Sequence, residues 1–266
     1  MPNTAATSSR HEGLPPAPVH KRYGVIGPLD LMDTSPYEFY QSAPPGVIFA
    51  AISIGLKDFS DAGAQAAFEG VQRCIKELES RNVDVIILNG IPLLMFLGDD
   101  QIAEFKRQAA AVAPLGGWTG IDAAVAALRS LEMTNVAVAN KWSDSMNERL
   151  ASIFNDKGIQ VAGVARESLS AKDVKGNYEE GSQLAIRLTE EAHSTAPQAD
   201  GVFLGGGAWL TLHLVEDLEE RIGAPVVTGL QSTNWFALNL LEAFQALPSR
   251  GKLFRTHLQR ESLAGL

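Results

Sequence analysis

From Arg22 onward, short β-branched runs alternate with stretches of helical period, and this alternation constrains the fold more than any other feature of the chain. The runs at 23–27, 47–52, 83–88, 136–139, 161–165, 201–204 and 226–228 read as strands. Helical patterns cover 62–80, 100–112, 121–131, 144–156, 178–193, 209–222 and 232–247. Strands that alternate with helices predict an α/β protein with parallel sheets. Seven of each suit two half-domains better than one sheet. Pro114, Leu115, Gly116, Gly117 and Trp118 break the composition near the middle, and the strand-helix order restarts after them. The expected division is a disordered tail at 1–20, a first lobe at 21–117 joined by 225–250, and a second lobe at 118–224.

Composition removes several classes of partner. With 22 basic against 31 acidic residues, a net charge of −9 and no Lys/Arg-rich stripe, the chain offers no electrostatic footprint for nucleic acid. The longest apolar stretch, 83–97, is interrupted by Asp84, Asn89, Gly90 and Pro92, well short of the roughly 20 apolar residues of a membrane helix. Residues 1–20 lack the apolar core of about 7–15 residues that a secretion signal requires, so a cytoplasmic protein is expected. One cysteine forms neither an internal disulfide nor a cysteine zinc cluster. His11, His20, His193, His213 and His257 have no metal-ligand spacing, so neither a metal nor an organic cofactor is expected.

Ligands of open parallel sheets bind beyond the carboxyl ends of the strands, so the loops after strands carry the search for a site. Two stand out: Asn89, Gly90, Ile91 and Pro92 after the third strand, and Gly205, Gly206, Gly207 and Ala208 after the sixth. If the second loop leads into a helix at Trp209, its backbone amides present an anion-holding concavity at a positive helix end. It is no dinucleotide fingerprint, because the GxGxxG template read from Gly205 ends at Leu210. Asn89 and Gly90 form a similar cradle, with Pro92 suited to a first helical position and an apolar wall from Ile91 to Leu97. Each loop reads equally well as a plain turn that needs small residues.

Around these loops stand VIILNG at 85–90, VAVANKW at 136–142, DSMNERL at 144–150 and GVFLGGGAWLTL at 201–212, together with GVIGP at 24–28, Glu38, Phe39 and Pro44. In order and spacing these segments resemble the Asp/Glu racemase superfamily, within it the arylmalonate decarboxylase and maleate cis-trans isomerase branch, over nearly all of 22–247. The implied fold is α/β: two Rossmann-like (flavodoxin-like) parallel-sheet lobes related by pseudo-two-fold symmetry, with the site in the crevice between them. That superfamily generally places one cysteine in each of two facing loops, and arylmalonate decarboxylases keep the second. The matching positions here are Gly90 and Gly206, so the resemblance implies that both thiols are absent. Where arylmalonate decarboxylases hold a carboxylate with hydroxyls, this chain has Ile91, Pro92 and Trp142. The single Cys74 lies in a helical stretch with Val71 and Leu78 and reads as a packed core residue.

Replacement chemistry is sought among Asp30, Asp33, Lys141 and His213. Asp30 and Asp33 follow the first strand, where a carboxylate serves as general base or as a helix cap. Lys141 ends the fourth strand and points to the crevice as an anion holder or a solvated lysine. His213 sits one turn beyond the second cradle, either as acid/base or on a solvated face with Glu216, Asp217 and Glu220. Substrate contacts are expected from Pro28, Asn89, Gly90, Ile91, Leu93, Trp142, Gly206, Gly207, Ala208 and Gln231, the last competing with an N-cap role. The resulting expectation is a cofactor-independent lyase, isomerase or hydrolase acting on a small carboxylate or carbonyl compound through backbone oxyanion cradles. The alternative is a catalytically inactive binding or sensing protein. A homo-oligomer is left open.

Overall fold

The computed structural model describes residues 18–168 and 178–266, so most of the expected tail at 1–20 lies outside the described residues. The first half contains β1 (Lys21–Gly27), α1 (Thr34–Tyr40), β2 (Val47–Ser53), α2 (Asp61–Phe68), α3 (Val71–Glu79), β3 (Val85–Leu88), α4 (Ile91–Leu94), α5 (Asp99–Ala110), β4 (Gly117–Thr119) and α6 (Gly120–Ser130). The second contains β5 (Asn135–Asn140), α7 (Asp144–Asp156), β6 (Gln160–Arg166), α8 (Tyr178–Thr195), β7 (Gly201–Leu204), α9 (Val215–Ile222), β8 (Val226–Thr228) and α10 (Gly229–Leu240). Three short 3₁₀ turns complete the chain. Both sheets are parallel throughout, in the orders β2-β1-β3-β4 and β6-β5-β7-β8, so the two halves share one topology.

Continuous apolar runs bury both faces of the central strands, as in β3, where Val85, Ile86, Ile87 and Leu88 are all fully buried. In the second sheet the two-residue side-chain period divides the core. Val136, Val138, Phe203 and Val227 face the cluster that also contains the first lobe's core, while Ala137, Ala139, Val202, Leu204 and Val226 face the layer under α8 and α9. The apolar core is thereby continuous from one lobe into the other.

Two helices run through that shared core. α6 is buried from Gly120 to Leu128 and α10 from Leu230 to Leu238, and the two pack on each other. α6 is rich in alanine, which fits a helix enclosed on all sides. In α10 the buried hydroxyls of Ser232 and Thr233 return to the carbonyl of Gly229, which satisfies them inside an apolar layer. Both helices start from the same device: Thr119 with Asp122, and Thr228 with Gln231, form reciprocal capping boxes.

Several expected boundaries are corrected. Residues 62–80 form two helices, α2 and α3, separated at Glu69 and Gly70. α1 and β4 are additional elements; β4 lies in the stretch taken as an inter-lobe break and extends the first sheet beside β3. β8 pairs with β7, so residues 226–228 of the segment expected to rejoin the first lobe belong to the second sheet. α10 reaches back through α6 and through Phe236, which meets Trp118 edge-on at 5.3 Å, and Arg250 beyond it donates to Gln41. The helix expected at 209–222 begins at Val215, and the residues before it form a loop whose Thr211 and Leu212 amides donate to the Glu38 carboxylate.

Asp122 is the most heavily committed cap. Its carboxylate accepts from the Thr119 amide and hydroxyl, each at 2.8 Å, and pairs with Lys106 at 2.8 Å while almost wholly buried. Asp122→Ala leaves all three groups unmatched and is expected to cost about 2–3 kcal/mol in urea unfolding, against a change within about 0.5 kcal/mol if the box were incidental.

Candidate active site

At the carboxyl end of each sheet's third strand the backbone turns on a glycine in the left-handed region. Gly90 follows β3 with φ +96°, and Gly206 follows β7 with φ +111°. Each turn crosses the first residue of a buried helix. A Cβ on Gly120 would stand 2.9 Å from Asn89 Oδ1, and one on Gly229 would stand 3.1 Å from the Gly206 carbonyl oxygen. Glycine at these helix starts therefore permits the close crossing, and the positive ends of α6 and α10 lie beside the two turns.

Between the turns is a cavity of about 420 Å³. Its walls are largely apolar, with Leu31, Met32, Phe59, Ile91, Pro92, Trp142 and Leu230 among them. Asp33, Thr34, Ser35, Asn89, Lys141, Tyr178 and Glu179 supply the polar side chains. A greasy cavity with few converging polar groups is the usual form of a small-molecule site.

Ten of the expected site residues meet here: Pro28, Asp33, Asn89, Gly90, Ile91, Lys141, Trp142, Gly206, Gly207 and Ala208 all line the cavity. The Asn89 side chain accepts the Gly90 amide at 2.8 Å, so it fixes the turn from within. Pro28 covers Gly90 so closely that a Cβ there would come within 2.4 Å of the proline Cγ. Trp142 is buried with its indole under Gly205, again where a Cβ would not fit. Lys141 is only 3% exposed; its Nζ lies 4.4 Å from the centre of the Trp209 ring and donates to the Ala208 carbonyl at 3.4 Å. Burial lowers its ammonium to about 8, which leaves it a cation at neutral pH with a proton it can release.

Four expected residues stand elsewhere. Asp30 is exposed and pairs with Lys57 at 2.6 Å. Leu93 is wholly buried in the core beneath the cavity floor and does not line it. Gln231 is consumed by the α10 capping box and by the Arg250 carbonyl, which its Nε2 reaches at 2.8 Å. His213 lies in the turn before α9, not on a helix face, and borders a second cavity with Glu38, Ser182 and Arg250. Its imidazole is held below the usual range, first by burial and then by Arg250. Asp33, although it lines the cavity, caps α1 by accepting the Thr34 amide at 2.8 Å and accepts from the Tyr178 hydroxyl. Cys74, the chain's only cysteine, is buried on α3 against the Ser53 carbonyl, and burial pushes its thiol up.

Sequence reasoning missed the role of α1. Thr34 Oγ1 donates to the Gly207 carbonyl at 2.5 Å, and one turn later Glu38 accepts the Thr211 amide and the Leu212 amide, the latter at 2.8 Å. The i, i+4 spacing of Thr34 and Glu38 was visible, but partners 173 and 174 positions away were not. Among the described residues, no three His, Cys, Asp or Glu side chains converge as a metal cluster.

Two parallel-sheet lobes of one topology, with paired glycine turns facing a shared cavity, define an α/β protein of the pseudo-symmetric, inter-lobe-site class. Comparison with known proteins makes this specific. A family model described as arylmalonate decarboxylase matches residues 32–254, and the chain belongs to that family, within the Asp/Glu racemase superfamily branch indicated by its motifs. Arylmalonate decarboxylase of Bordetella bronchiseptica is 28% identical over 211 residues, 79% of this chain and 87% of its own. Maleate isomerase of Geobacillus stearothermophilus is 23% identical over 194 residues, 70% of this chain and 74% of its own. A crystal structure of arylmalonate decarboxylase superposes with a TM-score of 0.75 at 26% identity, covering 88% of this chain and 98% of that one.

The two glycines set a position that is both strained and crowded against one that is unstrained and less crowded. Gly90→Ala combines a left-handed φ with a 2.4 Å clash on Pro28 and is expected to cost about 1–3 kcal/mol, read as a lower urea midpoint. Gly207→Ala, at an ordinary φ and meeting only the Leu230 Cδ2 methyl at 3.2 Å, is expected to cost clearly less. Equal costs would show that neither the positive φ nor the Pro28 contact makes glycine necessary at position 90.

Proposed function

We propose that this protein is a cofactor-independent enzyme that decarboxylates or isomerises a small carboxylate in the inter-lobe cavity, with Lys141 in place of a thiol as its acid–base group. The observation that carries the reading is a buried ammonium lining the same cavity as the Gly206, Gly207 and Ala208 turn, while the chain's one thiol sits on α3. The names of the relatives supply the substrate class: arylmalonates and maleate are both small dicarboxylates.

In a decarboxylation the C–C bond to the departing carboxylate breaks, CO₂ leaves, and the electron pair remains on the α-carbon as an enediolate. Backbone amides of the glycine turns and the nearby helix N-termini stabilise the oxygens on which that charge gathers. The Lys141 ammonium first attracts the dianionic substrate, then gives one proton to the α-carbon, and is reprotonated from water. Trp142 and Ile91 supply the apolar wall that shields the carbanion from bulk water. Asp33 is assigned no proton transfer, since its carboxylate caps α1.

The test is turnover of phenylmalonate and of maleate by the full chain, with and without chelator. Turnover insensitive to chelator is expected, falling roughly 10²–10⁴-fold in Lys141→Met and unchanged in Cys74→Ser. Because Lys141 must carry its proton, kcat/KM is expected to decline as pH rises through about 8. Thermal stabilisation by both compounds without product would overturn the enzyme reading in favour of a binding protein. Turnover that survives Lys141→Met would remove the lysine from its role.

A further inference from the structure

We infer that Glu38 is a positioning residue of the active site: from α1 of the first lobe its buried carboxylate, with Thr34 one turn before it, fixes the 205–214 loop of the second lobe and so sets where the Gly207 and Ala208 amides stand in the cavity. The inference rests on the proposal that this loop receives the substrate's oxygens.

Three observations carry it. First, Thr34 and Glu38 share one face of α1 and hold the loop at two places, its Gly207 carbonyl and its Thr211 and Leu212 amides. Second, between those two points lie Ala208 and Trp209, whose carbonyl and ring respectively hold Lys141, so the clamp positions the loop and the ammonium together. Third, Glu38 is 2% exposed and its second carboxylate oxygen, Oε2, is buried without any hydrogen-bond partner. A carboxyl kept at such a cost is not explained by helix propensity or by packing, for which leucine would serve better.

Burial pushes the Glu38 carboxyl up to about 7, against the lowering effect of the Leu212 and Thr211 amides and of Arg250. The other titratable groups facing it across the second cavity are Tyr37 on α1, Tyr178 and Glu179 on α8, and His213 before α9. Ionised, Glu38 makes charge-assisted bonds to both amides; protonated, it makes neutral and weaker ones. Those bonds do not offset the carboxylate's lost hydration, since burial still raises its pKa to about 7: the seated carboxyl keeps a proton that the opened, hydrated one releases, so the loop is held more firmly on the acid side of about 7 than on the alkaline side.

Hydrogen–deuterium exchange on the full chain without ligand tests this, using protection factors so that the intrinsic pH dependence of exchange divides out. Peptides containing 207–212 are expected to lose protection as pH rises toward about 7 in the wild type and in His213→Gln. In Glu38→Gln the protection is expected to be flat with pH, and in Glu38→Ala roughly 10- to 100-fold lower than in the wild type at acid pH. Circular dichroism confirms that each variant is folded, and Thr34→Val probes the clamp's other arm if Glu38→Ala is not. Phenylmalonate binding supplies the second readout. Wild-type affinity is expected to fall as pH rises toward about 7 and again above about 8, and Glu38→Gln is expected to lose only the first of these falls. Protection in Glu38→Gln identical to wild type at every pH overturns the inference. So does Glu38→Gln binding that keeps the fall toward about pH 7, since that marks a merely structural role, or loss of the transition in His213→Gln. If the wild type binds no phenylmalonate, the proposed function fails on its own account, while the exchange result still decides for or against Glu38.

Discussion

The packing of α6 against α10 is the contact on which the arrangement depends. A helix buried on every side must satisfy its first amides without water, and here each does so with a threonine cap and a reciprocal side chain three residues on. The residue after each cap is glycine, and only because of that can a second loop lie across the helix start. The glycine turns after β3 and β7 are thus placed by the same pair of helices that joins the lobes. The site is a consequence of how the core closes, more than an addition to a finished scaffold.

Electrostatically the cavity is spare. Its own side chains include one buried cation, Lys141, and two carboxylates, Asp33, engaged at a helix cap and with Tyr178, and the exposed Glu179 at the rim. What remains available to a carboxylate is backbone polarity from two helix ends, which requires no side-chain reorganisation when charge develops.

The central strands were legible because strands covered on both faces must be apolar at successive positions, and Val85 to Leu88 could hardly be anything else. β4 was not, because Gly117, Trp118 and Thr119 carry no apolar run; pairing with Ile86, Ile87 and Leu88 makes them a strand, and Gly117 fits there only without a Cβ against Ala109. The glycine-rich loops stood out by composition, yet composition does not say that Gly206 and not Gly207 takes the positive φ. Gln231 illustrates an ambiguity of another kind: Thr228 and Gln231 have the spacing of a capping box, and the cap is what the side chain does. The loop before α9 was beyond local pattern, since the Glu38 carboxylate that accepts its Thr211 and Leu212 amides comes from the other lobe.

The division of the second sheet's side chains between two core layers bears on motion. Val136, Val138, Phe203 and Val227 belong to the same apolar cluster as the first lobe's strands. Swinging the lobes apart would expose that cluster to water, at a cost that grows with every square ångström uncovered. Access to the cavity therefore falls to the loops at its rim, and the two lobes unfold as one cooperative body. A chain severed between α6 and β5 would yield two fragments each holding half a core, able to assemble with one another and unsuited to life alone.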